Sequence, residues 1–344
     1  LLSAVWLRVV GSTEVKLPYI IPTMSEVRET PWNGLNVVST FSGCGGTCLG
    51  YKMAGYKVLW ASEFVGAARE VYALNHPETL LDERDIRGVE GRDILSAIKM
   101  KVGEVDVLEG SPPCSSFSTA GKMEESWNRT NRYSDTVQRT DDLFWEFARL
   151  VNQIQPKVFV AENVSGLVRG VSKGYFKQIY RILKDCGYRI DARLLDASWL
   201  GVPQARRRLF IQGVREDLNR SPVFPHPWDF QYYVSDVLPH IRKIKLGGGK
   251  HRWSLPGRPF STICQSDFHI GINASLSTGG WIRTDEGLRR LTIPEVKLLC
   301  SFPDDFQLLG KFDLQWERLG RAVPPLMAKA IADTLRESLF DGSI

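Results

Sequence analysis

Between Asn36 and Val214 the chain switches repeatedly between short β-branched runs and amphipathic stretches, and this alternation limits the fold more than any other feature. Asn36–Phe41, Lys57–Ala61, Val105–Leu108, Lys157–Ala161 and Leu209–Val214 read as buried strands. Thr47–Ala54, Ala67–Asn75, Asp93–Lys99, Asp142–Ile154 and Lys177–Cys186 read as the helices between them. A strand that rejoins its sheet through a helix runs parallel to its predecessor, and such helices cover both faces. The expected fold class is therefore α/β, a doubly wound and mostly parallel sheet. After Val214 the pattern gives way to a Pro-, Gly- and aromatic-rich stretch reaching to about Gly287. It is too irregular for further βαβ units and too aromatic for a linker, so it reads as a small second domain. Helical patterning returns at Ile293–Ser301, and a last helix is expected over Pro324–Leu339, opened by proline.

With 43% hydrophobic and 24% charged residues over 344 positions, disorder and coiled coil are excluded for the chain as a whole. No apolar run reaches the roughly 18 residues of a membrane span. The net charge of +5 says less than its location. Between Gln231 and Phe260, Arg242, Lys243, Lys245, Lys250, Arg252 and Arg258 face one acid, Asp236, and share the window with Tyr232, Tyr233, Trp253 and the run Gly247-Gly248-Gly249. Such a stretch can meet phosphates, or can be no more than a solvated loop. Six cysteines without a C-x-x-C pair form neither a disulfide framework nor a zinc site, so no metal and a reducing cytoplasm are expected. Met24-Ser25-Glu26 resembles a natural start, and Leu1–Thr23 is set aside as a leader, added or from an upstream start.

In open parallel sheets, ligands bind outside the carboxyl ends of the strands, and the distinctive residues of this chain fall there. Strand one ends in Phe41-Ser42-Gly43-Cys44-Gly45-Gly46, a turn that lets backbone approach a ligand closely. Glu63 ends the second strand about twenty residues later, the place of an acid that accepts from a ribose diol. Turn and acid together suggest an adenosine-containing cofactor. The Val105–Leu108 strand runs into Gly110-Ser111-Pro112-Pro113-Cys114, where two prolines stiffen the approach to a thiol. The Lys157–Ala161 strand ends in Glu162-Asn163-Val164, and a carboxyl group buried there needs a partner or a proton. A nucleophilic thiol, a protonatable acid and a cofactor site in one pocket imply covalent catalysis with acid assistance.

Phe41-x-Gly43-x-Gly45-Gly46, Pro112-Pro113-Cys114, Glu162-Asn163-Val164 and Gln204-x-Arg206-x-Arg208 occur in this order. Through them the chain resembles the cytosine-C5 DNA methyltransferases, in layout the bacterial restriction–modification and phage type, over roughly residues 36–335. The resemblance implies S-adenosylmethionine as cofactor and double-stranded DNA as partner. It assigns Cys114 to attack C6 of a flipped cytosine, Glu162 to hold N3, Arg208 the O2 side, and Arg206 to orient Glu162 or a phosphate. The cofactor would lie among Phe41, Ser42, Gly43, Gly45, Gly46, Glu63, Phe64, Asp85, Ile86, Pro113, Leu143, Arg321, Ala322 and Val323. Residues 36–214 would form the catalytic domain, 215–288 the target-recognition domain, and 289–344 a hinge with a helix returning to the catalytic domain, while 1–35 is an extension. Arg129, Arg132 and Arg139 in a loop from Ser111 to Thr140, with Lys243, Lys245, Lys250, Arg252 and Arg258, would meet DNA. A monomer on DNA, with a cognate restriction endonuclease encoded elsewhere in a prokaryote or phage, completes the expectation.

One departure stands out. The family's final motif carries asparagine where this chain has Arg321, in Gly320-Arg321-Ala322-Val323-Pro324. A like charge about 4 Å from a sulfonium costs on the order of 4 kcal/mol at an effective dielectric of 20. Three readings compete. Arg321 turns outward; it pairs with the cofactor's own carboxylate; or it selects carboxy-S-adenosylmethionine, making the product 5-carboxymethylcytosine. A tRNA methyltransferase and a silent DNA-binding relative are rival functions for the whole chain. The first lacks its Cys-Phe-Thr triplet, and the second leaves Cys114, Glu162, Arg206 and Arg208 unexplained.

Overall fold

The computed structural model describes residues 16–113, 131–133, 136–138, 142–168, 172–245, 253–265 and 280–341, with side chains omitted at 131–133, 136–138, 168, 172 and 173. Helix α1 (Met24–Glu29) precedes an alternating series: β1 (Asn36–Thr40), α2 (Gly46–Met53), β2 (Lys57–Ser62), α3 (Gly66–Asn75), β3 (Leu80–Asp82), α4 (Gly91–Ile98) and β4 (Val107–Gly110). Two short paired strands, β5 (Asn131–Tyr133) and β6 (Thr136–Gln138), come next. The series then runs through α5 (Leu143–Ile154), β7 (Val158–Val164), α6 (Ser172–Asp185), β8 (Tyr188–Asp196), β9 (Gln204–Ala205) and β10 (Arg207–Arg215).

Seven strands form one sheet in the order β3-β2-β1-β4-β7-β10-β8. Strands β1, β2, β3, β4 and β7 are parallel, as the alternation predicts. The last two are not: β10 runs antiparallel to both β7 and β8. Strand β8 escapes the sequence pattern because its arginines, aspartates and leucines give the mixed exposure of an edge strand rather than an apolar run. Successive strand residues point to opposite faces. Val37, Val107, Val158, Val160 and Phe210 pack under α2 and the C-terminal helix, while Val38, Leu108, Phe159, Leu209 and Ile211 pack under α4, α5 and α6.

The irregular stretch forms a separate small layer. After α7 (Val234–Val237) come β11 (Lys243–Lys245), β12 (Trp253–Ser254), β13 (Phe260–Ser261), β14 (Trp281–Thr284) and β15 (Gly287–Arg290). Four of these make an antiparallel sheet in the order β12-β11-β14-β15, while β13 pairs with β9. Their apolar faces share a core with α8 (Ile293–Leu299) and with Trp316 and Leu319 of α9 (Phe312–Arg321). Helix α9 was not foreseen. Helix α10 (Pro325–Leu335) returns to pack against α2. The segment set aside at the start takes part in the fold from Lys16 onward. Tyr19 donates a 2.8 Å hydrogen bond to the Leu298 carbonyl, and Thr23 caps α1.

Close packing of helix and sheet depends on Gly213 of β10, where a Cβ would fall 2.1 Å from the ring of fully buried Phe159. Gly213→Ala is expected to cost about 2 kcal/mol, read as a lower urea midpoint. Adding Phe159→Leu should recover part of the loss.

Candidate active site

The turn after β1 departs from ordinary backbone at once. Phe41 has φ 54°, Gly43 57° and Gly45 92°. Ser42 N–H donates to the Ser62 carbonyl at 2.9 Å, which lays the turn across the end of β2. Gly45 backs the turn, and a Cβ there would sit 2.2 Å from Nε2 of buried His76. Gly46 opens α2 so close to the Val323 carbonyl that its Cβ would lie 2.4 Å away. Both positions demand glycine, one for φ and one for space.

Around this turn lies a cavity of about 360 Å³. It is lined by Phe41, Ser42, Gly43, Gly46, Glu63, Phe64, Asp85, Ile86, Pro113, Leu143, Arg321, Ala322 and Val323. Of the cofactor residues expected from sequence, Gly45 alone supports the wall from behind. Glu63 is buried, and its two oxygens accept from Gly43 N–H and Val65 N–H, each at 2.7 Å. Burial pushes its carboxyl above the usual range, against the pull of those two amides and of Arg318 and Arg321. Asp85 caps a single turn and takes Arg87, which also binds Asp142 at 2.6 Å. Arg87 thus joins the Asp85 rim to the residue preceding Leu143.

The catalytic set gathers at the same cavity as far as it is described. Cys114 lies outside the described residues, and the structure follows the chain to Pro113. The Pro112 carbonyl accepts from Asn163 Nδ2 at 3.2 Å, which fastens the approach to β7. Glu162 and Arg208 both line the cavity and form an ion pair at 3.0 Å, each largely shielded. Burial raises the Glu162 carboxyl, while Arg208, Arg206 and a hydrogen bond with Ser111 lower it. The balance is upward, the direction that suits a proton donor or a shared proton.

Arg206 behaves differently from the expectation. It lines the same cavity but is 2% exposed, and its hydrogen bonds go to backbone rather than to Glu162. Its terminal nitrogens donate to the carbonyls of Ile263, Gly320 and Arg321 at 3.1–3.2 Å. Burial first, and Arg208 second, pull its pKa down to about 9. Lys245 is a second correction. At 2% exposure it presents no charge outward. Lys243 and Arg258 are exposed. Arg129, Arg139, Lys250 and Arg252 lie outside the described residues, as does the side chain of Arg132.

Arg321 remains at the cavity instead of swinging away. Its Nε donates to Glu317 Oε1 at 2.8 Å, one turn back on α9. Arg318 also lines the cavity, is buried, and has Glu317 at 3.6 Å. Sequence reasoning missed Glu317 and Arg318 because it missed α9, on which their spacing to Arg321 becomes a single face. Among the described residues, no group of three His, Cys, Asp or Glu is arranged to hold a metal ion, and no helix is long and apolar enough to cross a membrane.

A doubly wound sheet whose strand ends enclose a buried acid, a glycine turn and a carboxylate–guanidinium pair forms a candidate cofactor and substrate site. Comparison supplies the class. The family model for C-5 cytosine-specific DNA methylases matches residues 35–254 and 249–337. The chain is 32% identical to the type II methyltransferase M1.HphI of Haemophilus parahaemolyticus, over 88% of this chain and 86% of that protein. It is 34% identical to M.NgoPII of Neisseria gonorrhoeae, over 92% and 99%. The fold matches an Escherichia coli prophage protein described as a DNA modification methyltransferase, with TM-score 0.67, 23% identity and coverage of 90% and 100%. It also matches S. pombe Dnmt2 methyltransferase, with TM-score 0.63, 18% identity and coverage of 88% and 98%. The chain belongs to the C-5 cytosine-specific DNA methylase family, and it is a DNA (cytosine-5-)-methyltransferase.

Removing the Arg206 guanidinium strands three buried carbonyls. Arg206→Ala is expected to cost about 3 kcal/mol in denaturant titration. Arg206→Lys should recover little, because one ammonium cannot span the three acceptors.

Proposed function

We propose that this enzyme transfers a methyl group from S-adenosylmethionine to C5 of a cytosine turned out of double-stranded DNA, through a transient bond from Cys114 to C6. One observation carries the proposal: the largely shielded Glu162–Arg208 pair lines the same cavity as Pro113, the last described residue before Cys114. The cavity suits the cofactor in size and chemistry. Its glycine-lined wall admits close contact, Glu63 offers a shielded acceptor for a ribose, and Phe41, Phe64 and Ile86 supply apolar surface for an adenine. Bound there, S-adenosylmethionine supplies an electrophilic methyl group.

The chain's residues account for the rest. Cytosine C5 is too electron-poor to attack a sulfonium methyl until a thiolate adds at C6 and makes C5 part of an enamine. Charge then develops on the ring, and Glu162, with its carboxyl raised, gives or shares a proton at N3. Arg208 keeps Glu162 oriented and holds the O2 side of the base. After transfer, water or hydroxide takes the C5 proton, the C6–S bond breaks and Cys114 is released as a thiolate. A base stacked in duplex cannot reach this cavity, so the target is flipped. Lys243 and Arg258 are exposed, which supports a role in meeting phosphate. The enzyme works in the cytoplasm as a monomer on DNA, alongside a restriction endonuclease encoded elsewhere.

The Arg321–Glu317 pair weighs against a carboxymethyl donor. Arg321 already has an anionic partner on its own helix, so a second carboxylate on the transferred group would have to compete with Glu317. Mass analysis of nucleosides after reaction with each cofactor separates the two products. Methylcytosine alone, unchanged by Arg321→Asn, is the expected result.

Duplex DNA carrying 5-fluorocytosine should trap a covalent adduct that Cys114→Ser abolishes. Glu162→Gln should slow its formation by about 100-fold. Absence of an adduct with the wild-type enzyme, or turnover by Cys114→Ser, would sink the proposal, and faster reaction on tRNA than on duplex DNA would change the substrate.

A further inference from the structure

Behind the glycine turn, β4 carries a carboxyl group to which the mechanism above gives no task. Glu109 is 3% exposed and stands in register between Ser39 of β1 and Val160 of β7. The Ser39 hydroxyl donates to Glu109 Oε1 in a short hydrogen bond, and Cys48 Sγ of α2 lies 3.8 Å from the same oxygen. Ser39 Oγ also sits 2.7 Å from Ser42 Oγ. A hydroxyl has one proton to give. With the Ser39 proton on Glu109, Ser42 must donate to Ser39, so the bonds run in one direction from the cavity wall inward. The backbone is tied as well, since the Glu109 carbonyl accepts from Thr40 Oγ1 at 3.1 Å. The residues after it, Gly110-Ser111-Pro112-Pro113, lead to Cys114.

We propose that Glu109 is a positioning residue for methyl transfer, its carboxyl holding Ser39 and Ser42 so that the cofactor turn is fixed against the strand leading to the nucleophile. The proposal rests on reading the cavity as the S-adenosylmethionine site. A buried carboxyl is tolerated when hydrogen-bonded and uncharged. Burial pushes Glu109 up to about 8, with the charge of Glu162 adding to the effect and Ser39 and Cys48 opposing it. The titratable groups that feel its charge are Cys48 and Tyr51 of α2, Tyr72 of α3 and Glu162 of β7. Burial keeps the thiol and both phenols neutral, Cys48 being raised to about 12, so Glu162 is the charge that Glu109 meets on ionising. The folded-state pKa exceeds the ordinary carboxyl value. This group's contribution to stability therefore falls as pH rises from about 4.5 towards 8 and levels off above it.

The test uses the whole protein without DNA, S-adenosylhomocysteine as calorimetric probe, and thermal melts in its absence. For the wild type, Kd should weaken by about fourfold between pH 6.5 and 8.5, the most that one group titrating near 8 allows. Glu109→Gln keeps the acceptor and cannot ionise, so it should bind with little pH dependence and melt higher than the wild type at pH 8.5. Ser39→Ala, which cuts the link, should bind about tenfold more weakly at both pH values. Wild-type binding unaffected by Ser39→Ala, or the same pH dependence in Glu109→Gln, overturns this inference alone. No binding by the wild type at either pH overturns the cavity reading and this inference together.

Discussion

One guanidinium, almost wholly removed from water, joins the three parts from which the cavity is built. Arg206 stands beside the start of β10 and donates to Ile263 in the segment after β13 and to Gly320 and Arg321 at the end of α9. The terminal carbonyls of a helix have no partners within it, and a planar donor fork satisfies them better than a flexible ammonium would. The charge is costly to bury, and burial with a neighbouring Arg208 pulls it down to about 9. The fold accepts that cost because the strand carrying Arg208, the small layer and the last motif at the cavity are otherwise separate in sequence.

Three buried carboxyl groups around the sheet's carboxyl edge illustrate how environment divides similar chemistry. Glu63 is tied by two backbone amides and is best suited to accept. Glu162 faces Arg208 and the cavity, and can lend a proton while remaining oriented. Glu109 looks inward to the Ser39 hydroxyl and a thiol. Burial raises all three, and the donors around each decide which task remains open to it.

The parallel strands and the helices between them were legible because burial on both faces leaves continuous apolar runs. The lining of the cavity was legible for a related reason, since the strand ends, the glycine turn among them, converge on one edge of an open parallel sheet. Strand β8 was hidden by its half-exposed edge position, and α9 by a sequence of low apolarity whose buried members, Trp316, Arg318, Leu319 and Gly320, include a charge and a glycine. With α9 unseen, the Glu317–Arg321 pair could not be inferred, and Arg321 looked like an isolated cation.

The sequence by itself determined the sheet class, the strand ends at which chemistry gathers and the family to which the chain belongs, because these depend on local periodicity and short motifs. Tertiary structure alone decided where the charges go. Arg206 turned to carbonyls, Lys245 inward, Arg321 to Glu317, and Glu109 to Ser39 behind the turn. The partner of a buried charge is fixed by elements that meet only after folding, and no spacing along the chain encodes that meeting.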